Sequence, residues 1–384
     1  MIQLSPEQEE RARRLHASSF FFDFFPAGEP MLLSPSEEAV MHDALGRGIP
    51  SGGAIALIKE QRTRDLAADP AASERMRRMW ERTGVNAVTC TLGGLDSRFE
   101  PMYLLMRDIA RWSRRFQVAD YLTHCLTAGD LERTVESGKV GVWFNLQDTN
   151  WIDPGLENLD VLYNFGVRMI QLTYNSRSLV GDGCTERVQS GLSHLGVAVV
   201  KRMNELGIVV DVSHCGEQTT FDAIEVSERP IAFSHTGCRA LYDHPRSKTD
   251  DQLRALAERD GYVGIYVVPF FLSDDPNPGL DVMLDHLDHA ASIVGIQRVG
   301  IGTDWGSWTA DLPEPLQAGI HAEFARRGFR EEHGMKMGGS LGELDSYLNC
   351  VQITRGLVSR GYSDDEIRGI LGRNYLDLVR RVTG

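Results

Sequence analysis

Eight short apolar runs recur along the chain, and segments with helical spacing follow them. The runs are SSFFFDFF (18–25), VNAVTCTLGG (85–94), KVGVWFNLQ (139–147), VRMIQLTYN (167–175), IVVDVSH (208–214), PIAFSH (230–235), YVGIYVVP (262–269) and RVGIGTD (298–304). Between them, SHLGVAVVKRMNEL (193–206) and VMLDHLDHAASIVG (282–295) repeat apolar residues with the period of an amphipathic helix. A strand with one wet face would alternate; near-continuous apolar strands interleaved with helices require a parallel sheet covered on both sides. Eight such units predict an α/β fold, a (β/α)8 TIM barrel, over an open doubly wound sheet. No GxGxxG or P-loop opens any of the helices, so a nucleotide-binding α/β fold lacks support.

The chain has 384 residues, and no low-complexity linker or shift of composition marks a second domain. The reading is a single barrel domain over 1–384, with a long loop at about 306–342 after the eighth strand and C-terminal helices. The Gly- and Pro-rich stretches LPEPLQAG and HGMKMGGSLG make that loop a candidate lid. YSDDEIRGILGRNYLDLVRRV (362–382) reads as one terminal helix, capped by Ser363 with acids in its first turn.

Composition narrows the partners. A formal charge of −14 disfavours nucleic acid and anionic membrane surfaces, both of which attract clustered Lys and Arg. No run approaches the roughly 18 apolar residues of a membrane span. The first residues, MIQLSPEQEERARR, are charged and have no apolar core of a signal peptide. The six cysteines are dispersed without a CxxC pair, the pattern of reduced thiols. The expectation is a cytoplasmic protein acting on a small molecule.

In a barrel of this kind the active site gathers where the strands end. The polar residues there are Asp23, Gln147, Tyr174, Asn175, His214, His235 and Asp304. Two of the runs stop on Ser-His, with histidines 21 positions apart (235 − 214 = 21), the length of one β/α unit. A lone strand-end histidine is an ordinary hydrogen-bonded core residue. Two in matching contexts on consecutive strands point to a shared metal, since zinc takes neutral imidazoles and leaves a place for water. Asp304, in GTDWG, suits the base that takes that water's proton, against the plainer reading of a turn cap. His124, His286 and His289 read as structural, and His244, near Arg246 in YDHPRSKTDD, as solvent-exposed.

From GKVGVWFNLQD through QLTYNSRSLVGDGC, GIVVDVSHCG, PIAFSHTGCRALYDHPRSKTDDQL and GIQRVGIGTDWG, the chain resembles the renal (membrane) dipeptidase family of zinc peptidases, in the amidohydrolase superfamily. The resemblance implies a two-zinc site built from a His-x-Asp pair on the first strand, a bridging Glu on the third, and one His on each of the fifth and sixth. Matched position by position, it implies His214 and His235 as ligands, Asp23 as the first-strand Asp and Asp304 as the proton carrier. It also implies Arg246 as the anchor of a substrate carboxylate, with Tyr174 where many members carry His, beside Asn175. A homodimer is implied as well.

Two ligands depart from that pattern: Phe21 stands where the first-strand His is expected, and Gln147 replaces the bridging Glu. Phe cannot bind a metal, and a neutral amide is a poor bridge between two dications. The resulting expectation is a divergent metal-dependent hydrolase of a peptide or amide bond in a small carboxylate-bearing substrate. It would hold a single zinc on His214 and His235, with Gln147 as a weak third ligand and Phe21 drying the pocket. The alternatives are a non-hydrolytic tailoring enzyme and a catalytically silent binding protein.

Overall fold

Each of the eight apolar runs contains a strand in the computed structural model, which describes residues 2–26, 33–93, 101–304, 312–334 and 339–383. In chain order the strands are β1 (Phe22–Asp23), β2 (Ala87–Thr91), β3 (Leu122–His124), β4 (Val140–Leu146), β5 (Val167–Gln171), β6 (Val209–Asp211), β7 (Ala232–Thr236), β8 (Tyr262–Ile265) and β9 (Val299–Ile301). All pairings are parallel, in the order β1-β2-β4-β5-β6-β7-β8-β9. The Phe24 N–H donates to the Ile301 carbonyl at 3.1 Å, bringing the last strand back to the first. The expected barrel is present. β3 is additional: it pairs only with β4, from Leu122 beside Val140, and its LTH sequence carries no apolar run to announce it.

Burial on both faces explains the unbroken apolar runs. Inside the barrel, Phe22, Ala87, Trp143, Met169, Val209, Ala232 and Tyr262 form one buried cluster, one residue from each of seven strands. Their sequence neighbours Val88, Val142, Ile170, Val210, Phe233 and Val263 belong to a second cluster shared with the helices. Gly264 and Gly302 let β8 and β9 run close to β7: a Cβ at either would lie 2.0 or 1.9 Å from the Ser234 carbonyl oxygen.

Two expectations change. The stretch at 306–342 is not a bare loop, although its residues 306–311 and 335–338 lie outside the described ones. Glu314–Arg326 is a helix. Its Leu316 and Ile320 pack with Met41, Ala44, Ala54 and Ile58 of the helices Pro35–Gly46 and Ser51–Ala68. The terminal helix starts as read, with a reciprocal cap between Ser363 and Glu366. It is interrupted at Gly369–Arg373, where Gly372 sits against the Phe20 carbonyl, before resuming at Asn374–Thr383. The resumed helix brings the Tyr375 ring within 4.6 Å of Phe22 and 3.6 Å of Phe24, centroid to centroid. Among the described residues no helix is long and apolar enough to cross a membrane.

Candidate active site at the histidine-bearing strand ends

Asp211, the last residue of β6, joins the two Ser-His motifs. Its Oδ1 accepts from the backbone N–H and hydroxyl of Ser213 (3.0 and 2.6 Å) and from the Ser234 N–H (3.1 Å). Its Oδ2 accepts from the Ser234 hydroxyl at 2.5 Å. The Ser213 hydroxyl in turn accepts from the His235 N–H at 3.1 Å. The serine before each histidine therefore binds one shared, wholly buried carboxylate. The β7–β8 register shifts between Phe233 and Thr236, and such an irregularity re-aims the side chains within it, here Ser234 and His235. Asp211 was missed in the sequence; an acid inside the apolar run IVVDV was the available signal.

The two imidazoles meet at their Nε2 atoms, 2.8 Å apart. Each is held from behind: His214 Nδ1 donates to Asn175 Oδ1 at 2.7 Å, and His235 Nδ1 lies 2.7 Å from the Ser234 hydroxyl oxygen. With the single Ser234 proton given to Asp211, His235 Nδ1 is the donor in that contact, and both Nε2 atoms face each other with acceptor lone pairs. Something positive belongs between them, a proton or a metal ion. Burial, reinforced by the neighbouring Arg246, holds both histidines well below their ordinary pKa, which disfavours a shared proton that would make one ring cationic.

Aromatic rings cover both histidines. Tyr174 stacks on His214, centroids 4.4 Å apart, and the Arg327 guanidinium lies 4.1 Å above the Tyr174 ring. Arg327, just past the helix Glu314–Arg326, donates to Asp148 Oδ2 at 3.0 Å, so the stretch after β9 is tied to the residue following Gln147. On the other side, Phe25 stacks on His235 at 3.9 Å. Phe25, Asp148 and Arg327 carried no motif that would have singled them out.

Asp304 follows β9, its N–H donating to the Phe25 carbonyl at 2.6 Å. The carboxyl lies deep in the protein yet the residue keeps some accessibility, the condition of a group on the wall of a cavity. Burial raises its pKa to about 7; Arg246 pulls the other way, and Asp23 and Asp211 add to the rise. Arg246 is fully buried. It donates to the carbonyls of Ser213 (2.6 Å) and His235 (3.3 Å), while among the described residues its Nε–H has no partner. Among the described residues no carboxylate forms an ion pair with it. His244 is buried rather than exposed: its Nδ1 accepts from the Arg246 N–H and its Nε2 donates to the His333 carbonyl.

The first-strand residues do not turn toward the histidines. Asp23 Oδ1 accepts from the Thr303 and Phe25 N–H groups, and Oδ2 from the Thr303 and Tyr347 hydroxyls, which uses both oxygens. Phe21 packs in the layer between barrel and helices, edge-on to His16 at 5.7 Å; the ring that dries the histidine pair is Phe25. Gln147 reaches the pair only at 3.4 Å, amide nitrogen to His214 Nε2. Among the described residues no three His, Cys, Asp or Glu side chains converge on one point. A two-zinc centre therefore does not fit this donor set. Two anchored Nε2 atoms facing a common point are the donors that a single ion would meet, and anchoring of the second ring nitrogen is what metal-bound histidines show.

Comparison with known proteins bears on the family and the fold. The family model described as membrane dipeptidase, peptidase family M19, matches residues 107–339, more than half of the chain. An uncharacterized dipeptidase of Schizosaccharomyces pombe is 31% identical over 231 residues, covering 59% of this chain and 53% of that protein. The chain spans about half to two thirds of the length of the curated relatives it matches. A solved amidohydrolase from Pseudomonas aeruginosa superposes with a TM-score of 0.76 at 25% identity, covering 97% of this chain and 99% of its own. The probable dipeptidase PvdM from the same organism gives 0.75 at 17% identity, with 99% of both chains covered, a likeness of fold alone.

Proposed function

The chain belongs to the membrane dipeptidase family, peptidase family M19, and on that premise we propose that it is a divergent dipeptidase-like hydrolase. Its substrate is a small, carboxylate-bearing molecule with a peptide or amide bond, and its centre holds no more than one zinc ion. The observation that carries this reading is the convergence of the two anchored Nε2 atoms at the strand ends where Asp304 has its pKa raised to about 7.

In this reading Arg246, a buried cation without an anionic partner among the described residues, anchors the substrate carboxylate with its remaining donors. Asp304 takes the proton of the attacking water and returns it to the leaving amine, for which a pKa near the working pH is best. Phe25 and Tyr174 exclude water from the two imidazoles. His214 and His235 would hold the ion; when bound, zinc polarises the amide carbonyl and acidifies water. Gln147, one of the expected ligands, contributes at most a weak contact, and Asp23 none.

A second reading, proton transfer without hydrolysis, is favoured by one observation: the pair offers two strong protein ligands where a catalytic zinc site takes three. Metal analysis of the purified chain, together with NMR of a panel of dipeptides and N-acyl amino acids in D2O, separates the two. The hydrolase reading expects close to one zinc per chain, lost in His214→Ala and kept in Phe21→Ala, and cleavage that chelation stops. Zinc near zero, with deuterium entering the substrate without cleavage and indifferent to chelator, would establish the second reading instead.

A further inference from the structure

We infer that Lys248 is a positioning residue that sets the spacing of the two histidine-bearing strand ends. Its side chain serves one of them and its backbone the other. The ammonium donates to the Val212 carbonyl (2.7 Å), the Cys215 carbonyl (2.9 Å) and the Thr220 hydroxyl (3.1 Å). The first two flank Ser213 and His214 on the turn that leaves β6. Its own N–H donates to the Gly237 carbonyl at 3.0 Å, and its carbonyl accepts from the Arg239 N–H at 2.8 Å. Those two residues belong to the turn that leaves β7, directly after His235. One residue thus spans both exits.

The turn it holds has no carbonyl to spare. Val212 and Cys215 are bound by Lys248, Ser213 by Arg246, and His214 by the Cys184 N–H at 2.7 Å. A fully buried ammonium is costly to desolvate, and all three of its protons must be met for it to remain there. Meeting two carbonyls is work that a neutral donor does at less cost. What the long, three-pronged ammonium adds is reach: from a backbone pinned beside His235 it fixes the turn that carries His214. The separation of 2.8 Å between the two Nε2 atoms follows from that bridge. The bridge is made through backbone carbonyls and the Thr220 hydroxyl, not through either imidazole.

Selective 15N labelling of histidine, with long-range proton–nitrogen spectra of the full chain as purified, tests this. Lys248→Met keeps the stem and removes the three donors. The expected result is loss of the single fixed ring state of His214, its two nitrogen signals moving toward an averaged position, with His286 and His289 unchanged. Leu253→Ala, a truncation of a buried side chain on the following helix, lowers Tm without moving the His214 or His235 signals. A folded Lys248→Met with wild-type signals for both histidines overturns the inference, as does an equal displacement in Leu253→Ala. If Lys248→Met does not fold, Lys248→Gln is read in the same way: displaced signals support the bridge, wild-type signals overturn it. A failure to find zinc or cleavage leaves these spectra to be judged on their own.

Discussion

At the scale of single residues, the site rests on protons more than on shape. Asp304 is an acid held protonated to unusually high pH by burial, with its pKa raised to about 7. An acid whose folded pKa exceeds its unfolded value binds its proton more tightly when folded. Its contribution to stability is therefore complete below the unfolded value near 3.8 and is lost as pH rises through about 7. Asp304→Asn removes that loss. The variant should be more stable than the wild-type chain at pH 8, on the order of 1–2 kcal/mol after allowance for partial exposure, with the difference vanishing near pH 4. Urea titrations at the two pH values check this, and a difference independent of pH would show that Asp304 is ionised at the bottom of the range. Turnover should fall about 10²- to 10⁴-fold in the same variant, and in the wild-type chain it should rise through pH 7 as the base becomes available.

At the scale of elements, short strands and close backbones aim the histidines. β6 has three residues, and the turn beyond it is held by Asp211 below, two cations at the side, and the 176–193 excursion above. That excursion comes back onto the end of β5 at Gly183, where a Cβ would lie 2.2 Å from the Asn175 carbonyl and 2.3 Å from that of Tyr174. Gly183→Ala must push two backbones apart, at a cost of about 1–3 kcal/mol. Because Asn175 and Cys184 both bind His214, the substitution should also release that ring. Thermal melts measure the first effect, and the histidine nitrogen spectra the second. A stable variant with an unmoved His214 would show that the excursion is a passenger.

Across the whole molecule, described chain from after β9 packs against the strand ends of the candidate site. The helix Glu314–Arg326 is fastened on one side to the helices Pro35–Gly46 and Ser51–Ala68, and on the other to the site through Arg327. Phe329 stacks on Phe271 at 5.5 Å, and the His333 carbonyl meets His244, adding two further contacts. Arg327→Ala removes the tie to Asp148 and the cover over Tyr174. Asp148 keeps its bonds from Asn150, but loss of its buried ion pair should also lower Tm. Limited proteolysis is expected to cut within 312–334 about tenfold faster, well below the temperature at which the barrel melts. Equal rates for variant and wild type would mean that the helix contacts alone hold the segment.

The alternation of apolar runs with helical segments was enough to determine the barrel, because a parallel strand buried on both faces needs apolar residues at every position and helices to cover it. The Ser-His endings pointed to the candidate site for a similarly local reason: they stand at the strand ends, where chemistry gathers. The short β3 was illegible, since three residues without an apolar run leave no period to detect. The aim of each side chain was illegible too. Asp23 matched the expected motif by order alone, and Phe21 stood in the place of its missing His, but their carboxyl and ring go to Thr303, Tyr347 and His16. Phe25, the Asp211 hub and the Arg327 cover come together from segments far apart in the chain. Sequence order says which residues reach a strand end; only the packed barrel decides which of them meet, because that depends on register, on a shift within β7, and on what each buried polar group needs for a partner.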